Sequence, residues 1–131
     1  LGHSERRQNF AETDVMVTKK VKQALDNQII PLVCVQDKST PVPEGCKLVA
    51  FEPISAIGTD RPDTPQDAAA VAQFLKQKYG DDLEVLYGGS VTAENVKAFV
   101  AQDNISGVLV GTASLDPEEF LKIVEVCLEY T

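Results

Sequence analysis

A parallel α/β fold is predicted by three features of this sequence. Apolar runs without strict alternation recur at Ile30–Val35, Leu48–Phe51, Leu83–Tyr87 and Gly107–Val110, as strands covered on both faces require. Stretches of helical period, most with a start signal of their own, separate them. The last three runs each empty into a small-residue or proline turn, at Glu52-Pro53, Gly88-Gly89-Ser90 and Gly111-Thr112-Ala113. In parallel folds such turns sit at the carboxyl ends of the strands, where catalytic groups collect.

The elements follow in order. Leu1 and Gly2 read as the stub of a strand. From Thr13 to Asp26, Val15, Met16, Val21, Ala24 and Leu25 recur at helical spacing with lysines between them, and Thr13 or Asp14 can cap. After the first strand, the link from Gln36 to Lys47 holds Pro41, Pro43 and Gly45. It is too short and too proline-rich for a full helix, although parallel strands usually need a crossover of a dozen residues or more. Thr64 caps a helix from Pro65 to Tyr79, with the proline at its first position, and Thr92 caps another from Ala93 to Ala101. The last helix opens on Asp116, Pro117, Glu118 and Glu119 and carries Phe120, Leu121, Val124 and Leu128 as its apolar face. This alternation implies right-handed β-α-β crossovers.

At 131 residues the chain reads as one domain spanning 1–131. Twenty acidic against 12 basic residues leave a net charge of −8, which excludes a general nucleic-acid or anionic-membrane surface. Three cysteines, Cys34, Cys46 and Cys127, form no CxxC pair, so a reducing cytoplasm is expected and no metal site is. The longest apolar run, Ile29–Val35, is too short to span a bilayer. The chain opens on Leu1-Gly2 without an initiator methionine, and is expected to be a piece of something longer.

Glu52 is the one acid set where an apolar run meets a proline-bounded loop, and it reads as a general base or as an ordinary strand-end acid. The segments LGHSERR (1–7), FEPISAIGT (51–59), YGGSV (87–91) and VGTASL (110–115) decide between these readings. In that order and spacing they resemble the carboxyl-terminal part of triosephosphate isomerase, from the end of the fourth strand to the eighth helix. The resemblance implies an incomplete (half) TIM barrel. It also implies the family's established mechanism, in which a glutamate base and a neutral histidine act beneath a closing loop. On this pattern Glu52 is the base, His3 the electrophile and Glu5 a supporting acid. Gly58 in the lid, together with Gly89, Ser90, Gly111 and Thr112, would hold phosphate. His3 could otherwise be a solvent-exposed terminal residue, and Arg6 and Arg7 are either supports or solvated charges.

The chain departs from the family pattern at several points. Ser55 replaces a tryptophan of the lid, and Thr112 replaces a glycine. Gln36 and Asp37 replace the glycine and glutamate that follow the buried fifth strand, in which Cys34 is a packing residue. No residue matches the asparagine and lysine pair after the family's first strand. The expected ligand is a triose phosphate or another phosphate or sulfate anion, with no cofactor. Isomerase activity of the chain alone is expected to be negligible. A half barrel exposes two sheet edges and one apolar face, so a homo-oligomer or a complementing N-terminal half is the expected partner. The alternative reading is a noncatalytic assembly module that binds phosphate.

Overall fold

The computed structural model describes residues 1–53 and 64–130. Strands β1 (Leu32–Val35), β2 (Leu48–Phe51), β3 (Glu84–Tyr87) and β4 (Gly107–Val108) form one sheet in chain order, all parallel. Rows run across it, with Val33 beside Val49 and Val85, and Cys34 beside Ala50 and Leu86.

Because side chains alternate along a strand, Val33, Val35, Val49, Phe51, Val85 and Tyr87 share one face. That face is the core. Helix α2 (Asp14–Asp26) covers it with Val17 and Val21, α3 (Pro65–Tyr79) with Ala68, Ala72 and Leu75, α4 (Val96–Val100) with Val96 and Phe99, and α5 (Pro117–Leu128) with Ile123. The opposite face carries Leu32, Leu48 and Leu86, which are only half-buried among the described residues. The second face is therefore apolar but not bare, for Cys34 and Ala50 on it are buried.

Helix starts follow their side-chain chemistry. Thr13 Oγ1 accepts from Met16 N–H, Thr64 Oγ1 from Asp67 N–H, and Asp116 from the N–H groups of Glu118 and Glu119. Helix α3 has the expected bounds. At Thr92 the expected helix is shortened, because Thr92 and Asn95 each accept the other's backbone N–H and form a turn. The regular helix begins only at Val96.

Other expectations are corrected. Strand β1 starts after Pro31, which has no N–H for the ladder, and Ile30 is left 80% exposed. The buried face of α2 is Val17 and Val21, while Val15, Met16 and Leu25 are exposed. On α5 only Ile123 is fully buried, and Phe120, Leu121, Val124 and Leu128 form an exposed stripe. Helix α1 (Ser4–Phe10) was not legible, for its apolar content is a single phenylalanine.

The Gln36–Lys47 link contains no helix, yet β1 and β2 pair in parallel. Val42 and Cys46 belong to the hydrophobic core and Pro43 is buried. The Cys46 thiol donates to Leu48 O at 3.2 Å. The link thus works as an irregular strap over the face that a crossover helix would cover. At the far side of β1, Leu1 N donates to Leu32 O at 2.7 Å and Cys34 N to Leu1 O at 2.8 Å. One of the two sheet edges expected to be bare is closed by the chain's own first residues, and this also holds His3.

Candidate active site

All carboxyl ends of the parallel strands lie at one edge of the sheet, where the chain departs in turns tied sideways. Glu52 N–H donates to Val35 O, Gly88 N–H to Phe51 O and Leu109 N–H to Tyr87 O, each at 2.8 Å. Glu52 follows β2 directly and is 1% exposed. A Cβ on Gly88 would lie 2.9 Å from Glu52 Cγ, so the neighbouring turn leaves the glutamate its space only because it is glycine there.

Among the described residues, His3 and Cys34 lie beside the Glu52 carboxylate. His3 Nε2 lies 3.5 Å from Oε1. The Cys34 thiol is held up at about 12, first by burial and then by the Glu52 charge and its hydrogen bond. It therefore stays protonated beside the carboxylate, buried as expected of a packing residue. Oε2 is buried and accepts no hydrogen bond from the described residues. A buried carboxylate oxygen with spare acceptor capacity destabilises the fold, and such groups concentrate where chemistry requires them.

His3 is the N-cap of α1, and its Nδ1 accepts from Glu5 N–H at 3.3 Å. In the neutral ring the proton therefore sits on Nε2, the nitrogen that faces Glu52. The distance of 3.5 Å is at the limit for a hydrogen bond, and the imidazole is 43% exposed. The pair is adjacent without being locked. Glu5 contributes its backbone N–H, while its side chain is exposed. His3 is thus not a loose terminal residue.

Gly89 and Ser90 follow β3 and are half-buried, and Ser90 O accepts from Asn95 Nδ2 at 2.8 Å. Gly111 and Thr112 are exposed at the start of a 3₁₀ turn, Thr112–Leu115, which Ser114 closes by donating to Gly111 O. Gly58, Ser55 and most of the expected lid lie outside the described residues. No cluster of three metal-ligating side chains occurs among the described residues.

Two residues behind the site escaped the sequence reading. Glu12 is 4% exposed and binds Gly2 N–H, Arg6 Nε and Lys20 Nζ. These contacts lower its carboxyl to about 2, the Lys20 hydrogen bond most. Gln36, which departs from the family pattern, donates its side-chain amide to Gly2 O. A run of exposed charges gives no sign that one of them turns inward.

A parallel sheet with helices on one face, an apolar second face and an acid at the strand ends defines a partial (β/α)8 barrel. The triosephosphate isomerase family model matches residues 1–47 and 43–127, the break falling in the shortened link. The chain belongs to that family. A triosephosphate isomerase of Mesomycoplasma hyorhinis is 41% identical over 144 residues, covering 95% of this chain and 59% of the relative. One from Aquifex aeolicus is 38% identical over 153 residues, covering 95% and 62%. The crystal structure of triosephosphate isomerase from Bartonella henselae superposes with a TM-score of 0.83 at 28% identity, over 96% of this chain and 62% of that one. The chain therefore spans about three-fifths of the length of these relatives.

Proposed function

We propose that this chain carries the proton-transfer part of a triosephosphate isomerase site, interconverting glyceraldehyde 3-phosphate and dihydroxyacetone phosphate. The observation that carries the proposal is the buried Glu52 carboxylate, with His3 Nε2 3.5 Å away at the strand ends. Glu52 takes a proton from the carbon beside the carbonyl, and an enediolate forms. The proton then returns to the neighbouring carbon. His3 Nε2–H donates to the substrate oxygen on which charge develops, and its neutral form is too weak an acid to trap the intermediate. The turns at Gly89–Ser90 and Gly111–Thr112 offer N–H groups to the phosphate. Three free cysteines accord with a reducing compartment, and no helix among the described residues is long and apolar enough to cross a membrane.

No residue here matches the family's lysine, whose positive charge would lie beside the substrate. Losing one preorganised electrostatic group lowers rates on the order of a hundredfold to a thousandfold. We expect the chain alone to turn over at least that much more slowly than a full-length relative, and Glu52→Gln to remove what remains. A coupled assay with glyceraldehyde 3-phosphate decides this. Turnover within a few fold of the relative would sink the incompleteness, and turnover that survives Glu52→Gln would sink the base.

A second reading is favoured by the stripe of Leu121 (59% exposed), Val124 and Leu128 (67%) on α5, and by the half-buried leucines of the sheet's second face. Here the chain is an assembly module that buries these surfaces against another copy. Light scattering should give a mass above the monomer that falls when Leu121→Lys and Val124→Glu are introduced together. A monomer at high concentration rules this reading out.

A further inference from the structure

We propose that Gln36 is a positioning residue for His3, acting through a three-point clamp on the Gly2 backbone. Gly2 N–H donates to Glu12 Oε2 at 3.1 Å, and Gly2 O accepts from Arg7 Nε at 2.9 Å and from Gln36 Nε2 at 3.3 Å. Two of these bonds are buried. Both backbone polar groups of Gly2, the residue preceding His3, are thereby held, next to the pairing of Leu1 with the sheet. Gln36 is the only one of the three anchors that comes from the sheet side of the site, reaching Gly2 across 34 positions of sequence.

The shortened link is what presents this amide. Asp37 Oδ1 accepts from the N–H groups of Ser39 and Thr40 and from both hydroxyls, and Thr40 Oγ1 accepts from Gln36 N–H. The resulting turn fixes the backbone of Gln36 at the end of β1. A carbonyl can only accept, so the amide nitrogen is the group that faces Gly2. The family pattern has glycine at this position, which offers no side chain. The strap that replaces a helix therefore also supplies a contact that a glycine could not make there, and its effect is to hold the imidazole at its distance from Glu52. The role rests on His3 and Glu52 being the reacting pair, but the placement does not.

The test reads His3 directly and needs no turnover. His3 is the only histidine, so its ring ¹⁵N and Cε1–H signals need no assignment. In mildly alkaline buffer the full chain should show one dominant tautomer, with the proton on Nε2. Gln36→Met keeps the side-chain bulk and removes the donor. It should move the ring nitrogens toward the averaged values of a free imidazole while the amide signals of β2 and β3 stay in place. Ring signals unchanged in Gln36→Met would overturn the proposal. Should that variant fail to fold, the unaltered chain still decides. A nuclear Overhauser contact from the Gln36 side-chain amide protons to Gly2 Hα is required, and its absence also overturns the clamp. Turnover that survives Glu52→Gln while His3 is ordered would count against the proposed function only, and a ring indifferent to Gln36 against the clamp only.

Discussion

Glu12→Ala is expected to destabilise the chain by about 3 kcal/mol. Part of this comes from the buried Gly2 N–H, which loses its acceptor at a cost of about 1–3 kcal/mol. The rest comes from Arg6 and Lys20, which lose a shared carboxylate. Both cations are partly exposed and can turn to water, so their share stays well below that of a fully buried ion pair. The same group sets an acid limit. Its carboxyl is lowered from an ordinary 4.5 to about 2, so its stabilisation is complete above the unfolded value and is lost as pH falls from 4.5 toward 2. By linkage such a shift is worth about 3 kcal/mol at most, and screening by water at the cation heads brings it to about 2 kcal/mol. Urea titrations of the unaltered chain and of Glu12→Gln should differ at neutral pH and converge across that window. Parallel curves down to pH 2 would show that Glu12 is not the group responsible.

The parts of this fold that could be read from sequence are those set by local chemistry. Thr13, Thr64 and Asp116 announce helix starts because a side-chain oxygen accepts from an N–H two or three residues on. Apolar runs locate the strands to within a residue or two. Glu52 was legible because its neighbours in sequence make its turn. What escaped depends on contacts between distant segments. The cations that hold Glu12 come from two helices, and Gln36 meets Gly2 across 34 positions of sequence. Phe120, Leu121, Val124 and Leu128 have the spacing of a core-facing stripe, yet most of α5's contact with the core runs through Ile123, Val126 and Cys127. Periodicity shows that a helix has an apolar face without saying what lies against it.

Gly89→Ala should cost about 2–3 kcal/mol through overpacking, independently of any phosphate. A Cβ at this position would overlap the Tyr87 hydroxyl and lie 2.5 Å from Tyr87 Cζ. The ring cannot withdraw, because it is 1% exposed and stacked on Phe99 with centroids 3.8 Å apart and planes 7° from parallel. Moving it would open the α4 side of the core, so the turn after β3 would have to shift instead. Glycine at 89 is thus required by packing beneath the turn before any ligand is considered. This separates two explanations of the same residue. If the tyrosine is the cause, Gly89→Ala should cost almost nothing in a Tyr87→Ala background, because the atoms it meets are gone. The cycle would then show a coupling of at least about 1 kcal/mol, well beyond the additivity of independent sites. An undiminished cost in that background would move the constraint off Tyr87 and onto the backbone of the turn. In either case, loss of phosphate binding in Gly89→Ala alone does not identify a ligand contact. A ligand role for this turn must be tested at Ser90, where the side chain can be changed without placing a Cβ against the ring.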